Sequence, residues 1–207
     1  SVTVRLFPQI VKDGVDPLQT EAILVPYDIP NQAVATVIHD TGLRVGYLRS
    51  VSHALNVFAN ESFMDDLAAA AGKDPYEYRM ALLAKQPRFA NVLKLAAEKA
   101  GWGNPLPAGH ALGIAHNVPD HLTYAAEVVE ASVTNGKVNV HRVVVAVDCG
   151  RVFNPDGARA QLEGGVVQAL SAALGEEITI EGGAVVQGSF ETYRLLRIGG
   201  EPARIEC

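Results

Sequence analysis

An α+β fold is expected, with a helical first part to about residue 105 and an antiparallel-strand-rich second part containing one buried helix. Three observations lead there. Between Ser50 and Ala100, apolar residues recur at helical spacing, broken by helix stop and start signals. After Gly103-Asn104-Pro105-Leu106-Pro107 the period changes to that of strands, and Asn135-Gly136 between two alternating runs is a strong hairpin signal. A strand, turn and small-residue helix then centre on Val147-Asp148-Cys149-Gly150-Arg151, with Asn154-Pro155-Asp156-Gly157 as the turn.

Val2, Val4 and Leu6 alternate and suit an edge strand or extended arm. Asp16-Pro17 turns the chain, and Pro26 to Asn31 is too rich in proline for a helix. A strand is expected over Val34 to Ile38. The first helix should begin after a Ser50 or Ser52 cap and run to about Ala71, with Gly72 ending it. Leu55, Phe58, Ala59, Ser62, Phe63, Asp66 and Leu67 carry its period. Asp74-Pro75 starts a second helix to about Leu83, because proline suits the first helical position. A third runs from about Pro87 to Ala100, with Val92, Leu93, Leu95 and Ala96 inward. The break near residue 105 divides the chain into 1–105 and 106–207.

The second part opens with a strand over Ala111 to His116. Longer strands at 123–134 and 137–148 follow, then the central helix at about 158–174. A second hairpin turns over Gly182-Gly183, and Arg204-Ile205-Glu206 begins a further strand. Gly164 and Gly165 lie inside the central helix, where each glycine costs roughly 1 kcal/mol against alanine. Close approach of a ligand or partner gives a reason for them; ordinary helix–sheet packing through small residues is the plainer one. Gln161 and the first-turn amides are candidates to meet a polar or anionic group.

Hydrophobic residues make up 48% of the 207-residue chain and charged residues 19%, enough apolar material for a core. The formal net charge of −6 argues against nucleic acid, which calls for basic clusters. No apolar run is long enough to span a membrane. The chain starts at Ser1 without methionine, so a processed chain, or one cut from something longer, is expected. Cys149 and Cys207 suggest neither a disulfide framework nor a metal site, and Cys149 reads as a small buried residue.

No two of the six histidines have helical metal-ligand spacing. His116 and His121 are five apart with a loop suggested between them, and they read as solvated or hydrogen-bonded histidines. No hydrolase elbow, Walker loop or dinucleotide fingerprint occurs. Ser1 is in principle an N-terminal nucleophile. Glu61 alone is an ordinary helix glutamate. Arg49, just before a helix amino terminus, makes a corner that favours anions.

Six stretches then match together: Pro26 to Asn31; Tyr47 to His53; Asn60 to Ala68; Gly72 to Arg79; Val147 to Pro155; and Gln161-Leu162-Glu163-Gly164-Gly165. In this order the chain resembles the molybdenum-binding subunit of the xanthine dehydrogenase / aldehyde oxidase family, most of all its isoquinoline 1-oxidoreductase-like branch. The resemblance covers nearly the whole chain.

It implies a molybdopterin cofactor, as the cytosine dinucleotide, and oxidation of aldehydes or hydroxylation of N-heterocycles with oxygen from water. It also implies an iron–sulfur subunit carrying [2Fe-2S] clusters and further pieces of the molybdenum subunit as partners. Gln161 matches the family's cofactor-contacting glutamine, with Gly164 and Gly165 allowing approach. Arg49-Ser50-Val51-Ser52 matches an Arg-Gly-Phe-Gly-like stretch beside the metal, with Ser50 and Ser52 in place of the glycines. The family's general base is a glutamate in a Gly-Glu-Pro-like motif beyond the segment matched here. Glu201-Pro202 is not assigned that role, and no protein ligand to the metal is assigned. The chain alone is therefore not expected to complete an active site. A non-catalytic scaffold that binds partner chains, and a hydrolase using Ser1, are the rival expectations. Substrate and compartment stay open.

Overall fold

A computed structural model describes residues 10–11, 14–15, 25–35, 46, 48–117 and 122–207. Most of the edge strand or arm expected over residues 1–12, most of the strand at 34–38, Ser1 and His121 lie outside the described residues. The α+β class holds. The described elements are β1 (Ile10–Val11), β2 (Gly14–Val15), α1 (His53–Ala70), α2 (Pro75–Leu82), α3 (Pro87–Ala100), β3 (His110–Asn117), β4 (Tyr124–Thr134), β5 (Lys137–Asp148), α4 (Pro155–Leu174), β6 (Ile180–Glu181), β7 (Ala184–Val185) and β8 (Arg204–Glu206). The main sheet has the order β3-β4-β5-β8. β8 joins parallel to β5, with Val143 opposite Ile205.

The turn chemistry accounts for most boundaries. Asn135 and Gly136 both take positive φ, 52° and 74°, as a two-residue hairpin with the right twist requires. α1 ends in a Schellman arrangement: the Lys73 amide donates to the Ala68 carbonyl and the Gly72 amide to Ala69, with Gly72 at φ 63°. The Asp74 side chain accepts from the Tyr76 and Glu77 amides and caps α2. Arg142 donates to the Lys99 and Ala100 carbonyls, satisfying the C-terminal end of α3, and pairs with Glu206 of β8.

The chain forms two compact units. The first comprises 1–98, 114–127 and 146–150; the second comprises 99–113, 128–145 and 151–207. In the first, Leu83, Phe89, Val92, Leu93, Ala96, Ile114 and Ala126 are buried. Leu95, expected inward, is 42% exposed. In the second, Val128, Val143, Val144, Val145 and Val166 are buried.

Two helices depart from expectation. α1 follows its helical period, but most of the positions that carry it lie outward. Leu55 and Phe58 are 69% and 73% exposed, while His53, Asn56, Asn60 and Glu61 are buried with Met64 and Ala68. Hydrogen bonding and charge pairing, not apolar patterning, set its orientation. α4 was expected to be buried, yet only Val166 and Ser171 of its residues are. Most of its apolar residues are small, and these bring too little side-chain area to draw the helix inside.

Candidate functional site

The first unit is built round a buried charge. Arg79 of α2 is wholly buried, and its Nε donates to Glu61 Oε2 of α1 at 2.9 Å. Its Nη2 donates to the Glu61 carbonyl at 2.8 Å, and its Nη1 to Asp65 at 2.6 Å and the Pro75 carbonyl at 3.2 Å. The Tyr27 hydroxyl donates to both Glu61 oxygens, at 3.0 and 3.2 Å. The backbone amide of His116 on β3 reaches Glu61 Oε2 at 3.3 Å. One carboxylate thus accepts from three segments, which is how a buried charge is tolerated.

The electrostatics follow from burial. Burial, and then the Glu61 carboxylate, push the Tyr27 hydroxyl well above the usual phenol range, so it stays a donor. Burial works against the Arg79 charge, but Glu61, Tyr27 and Asp65 outweigh it and raise its pKa. The His116 ring sits 4.9 Å from the Tyr27 ring and 4.8 Å from that of Phe89. Neither ring nitrogen has a hydrogen-bond partner among the described residues. Burial lowers its pKa, Arg79 adds to the lowering, and Glu61 opposes it. His116 is therefore not the solvated or hydrogen-bonded histidine expected; it is a buried core residue of the strand expected over Ala111 to His116.

Sequence reasoning passed over this cluster. Tyr27, Glu61 and Arg79 stand in three of the six matching stretches, and the cluster is where those stretches meet. Each looks ordinary alone, since contacts 18 and 34 residues apart leave no local trace.

Arg49-Ser50-Val51-Ser52 leads into α1. Ser50 and Val51 both take positive φ, 73° and 47°. For a β-branched residue this is a strained backbone. The Val51 amide donates to the Leu48 carbonyl and the His53 amide to that of Ser50, closing a tight turn. Ser52 is the N-cap, but its backbone is helical and its side chain makes no capping bond, contrary to expectation. The first turn of α1 holds no acidic residue. Arg49 is exposed. No acidic side chain opposes an anion at the α1 start, and one of its first amides, that of His53, is already taken by Ser50.

The α4 start differs. Asn154 Oδ1 accepts the Gly157 amide at 2.9 Å, and Asp156 puts negative charge in the first turn. The expected role for its first-turn amides is corrected: one is taken, and Asp156 repels an anion. Gln161 lies beyond this turn and is exposed. Gly164 is exposed, and a Cβ there would meet nothing within 4 Å. Packing inside this chain therefore does not require glycine at 164, and the open face suits approach from outside. Gly165 is half-buried. Gln161, Gly164 and Gly165 belong to the second unit, and Arg49 to Ser52 to the first.

Before α4, Asp148 ends β5. Arg88 pairs with it through two hydrogen bonds of 2.8 Å and stacks 4.2 Å over the Tyr124 ring. The Arg88 bonds, helped by the Gly150 amide, hold the Asp148 carboxyl down at about 2. Cys149, expected to be buried, is exposed because β5 stops at Asp148 and the chain turns away. Among the described residues no helix is long and apolar enough to cross a membrane, and no cluster of three metal-ligating side chains occurs.

The family described as the molybdopterin cofactor-binding domain matches residues 60–202. The beta chain of the isoquinoline 1-oxidoreductase of Brevundimonas diminuta is 34% identical over 205 residues, covering 96% of this chain and 26% of the relative. A nicotinate dehydrogenase subunit of Pseudomonas putida is 33% identical, over 86% of this chain and 16% of the relative. A membrane-bound aldehyde dehydrogenase of Gluconacetobacter polyoxogenes, named for pyrroloquinoline quinone, is 32% identical over 83% of the chain and 25% of the relative. The chain belongs to the molybdopterin cofactor-binding domain family. It spans about a quarter or less of the length of these relatives.

Proposed function

We propose that the chain supplies part of the cofactor-binding body of a molybdenum hydroxylase. The substrates are aldehydes or N-heterocycles, and water is the source of oxygen. The family match over residues 60–202 carries this reading, and the relatives' names, isoquinoline, nicotinate and aldehyde, supply the substrate classes. The same match favours a pterin over the quinone in the third relative's name.

The residues fit such a group. The strained Arg49–Ser52 turn offers a guanidinium and a helix start with no acidic residue, suited to the phosphates of a cytosine dinucleotide. Gln161 offers an uncharged donor and acceptor on an exposed face, suited to the polar part of the pterin. Gly164, with open space around it, leaves the α4 backbone approachable, and Gly165 follows it. When bound, the cofactor supplies the two-electron oxidation. This chain's residues bind and orient it. The general base and the [2Fe-2S] clusters that carry electrons away belong to other segments and to an iron–sulfur partner. Residues 1–105 and 106–207 are both parts of one larger molybdopterin-binding subunit.

The test is the molybdenum content of the native assembly containing this chain, per mole of chain, from molybdate-fed cells. Near-stoichiometric metal with pterin is expected, and Gln161→Ala should lower its retention. An intact assembly without metal would overturn the reading and favour a retained scaffold.

A further inference from the structure

The turn that carries Arg49 is strained, and the residue just after it is buried and tied to a strand. Ser50 and Val51 take φ of 73° and 47°, two consecutive L-residues in the left-handed region. Such a backbone persists only where its surroundings fix it. The backbone supplies two bonds: the Val51 amide donates to the Leu48 carbonyl at 2.9 Å, and the His53 amide to that of Ser50 at 2.8 Å. Ser52, the N-cap, adds no side-chain capping bond. His53, the first residue of α1, is 5% exposed, and its Nδ1 lies 3.1 Å from Asn117 Oδ1 at the end of β3. A carboxamide oxygen can only accept, so the proton of this bond sits on His53 Nδ1.

α1 meets the end of β3 a second time, where the His116 backbone amide donates to Glu61 Oε2 at 3.3 Å. Glu61 stands about two turns further along the helix, a rise of about 12 Å. Held also by Arg79 and Tyr27, it sets the middle of α1. The first turn of a helix lacks intrahelical partners for its amides and frays unless something else holds it. His53 is the side chain placed to hold it. These residues all belong to the first unit.

We propose that His53 is a positioning residue: its bond to Asn117 fixes the Arg49–Ser52 turn in the conformation that presents the Arg49 guanidinium to the cofactor phosphates. It acts through the turn and not by contact with the cofactor. The inference rests on the cofactor-binding role proposed above for that turn.

The experiment uses the native assembly in five forms: wild type, His53→Ala, His53→Asn, Arg49→Ala, and Arg49→Ala with His53→Ala. Asparagine is the conservative variant, because its side-chain amide keeps an N–H donor. Two quantities are read: hydrogen exchange over residues 48–53 by mass spectrometry, and the rate at which molybdenum is lost on dialysis. His53→Ala should raise exchange at the Val51 and His53 amides and speed the loss of metal, each by about two- to tenfold, the worth of one such hydrogen bond. His53→Asn should restore most of both. With Arg49 already alanine, His53→Ala should still raise exchange but no longer speed the loss of metal. The proposal is overturned by unchanged exchange in His53→Ala, or by alanine and asparagine behaving alike. Equal acceleration of metal loss in both Arg49 backgrounds, which a general loss of stability gives, overturns it as well. A wild-type assembly without molybdenum would overturn the functional reading and this proposal together; metal present with any of the contrary outcomes overturns the role of His53 alone.

Discussion

Arg79 is the residue on which the first unit turns. It is wholly buried and makes hydrogen bonds to Glu61, Asp65 and Pro75. Removing one partner of a buried pair leaves the other charge stranded, at a cost of about 3–5 kcal/mol. Arg79→Met should lower stability by that amount in a urea titration. Asp65→Asn should cost no more than about 1 kcal/mol, because the Asp65 side chain is 46% exposed and water screens its bond. His116 gives a second prediction. Its folded pKa lies below the ordinary 6.5, so below pH 6.5 the unfolded chain binds the proton the folded one refuses. Stability therefore falls as pH drops through that value, and is complete above it. Denaturant midpoints across this window should show the decline, and His116→Phe should flatten it. A decline of unchanged steepness in the variant would assign the effect to other groups.

The elements were legible wherever the chemistry was local. α3 runs from Pro87 to Ala100 as its spacing predicts, the Asn135-Gly136 hairpin lies where the dipeptide stands, and Asp74-Pro75 opens α2. The orientation of elements was less legible. The period of α1 was readable, but which face turned inward was decided by Arg79 and Tyr27, remote in sequence. α4 was misjudged because small residues count as apolar while burying little area. Of the candidate site, Gln161 and Gly164 lie on an open helix face, whereas the Tyr27–Glu61–Arg79 cluster was invisible until three separate stretches were brought together. Strain at the α1 start gives a test at this scale. Ser50 has φ 73°, a conformation costing an L-residue roughly 1–2 kcal/mol that glycine does not incur. Since glycine also gains entropy when unfolded, Ser50→Gly should stabilise the protein by about 0.5–1 kcal/mol, read from the thermal midpoint. A lower midpoint would show that the serine side chain supports the turn.

At the scale of the whole molecule, apolar exposure is spread over both units. Leu55 and Phe58 show it in the first; Phe153, Phe190 and Ile198, at 87%, 71% and 104%, show it in the second. Such exposure fits the proposed place of this chain in a larger assembly. The isolated chain should therefore enhance the fluorescence of the dye ANS strongly, and the native assembly should enhance it much less per mole of chain. Equal enhancement would mean that these surfaces stay uncovered in the assembly.

The junction of Tyr27, Glu61 and Arg79 also bears on how such a sequence can drift. A charge that three segments satisfy together cannot be lost from one of them while the other two stay as they are. Glutamate without arginine, or arginine without glutamate, leaves an orphaned ion in the core, and a lineage would cross that state only at a steep loss of folded protein. Glu61 and Arg79 are thus bound as a pair, to be kept together or replaced together, while the exposed glycine face of α4 is held by no comparable tie within this chain.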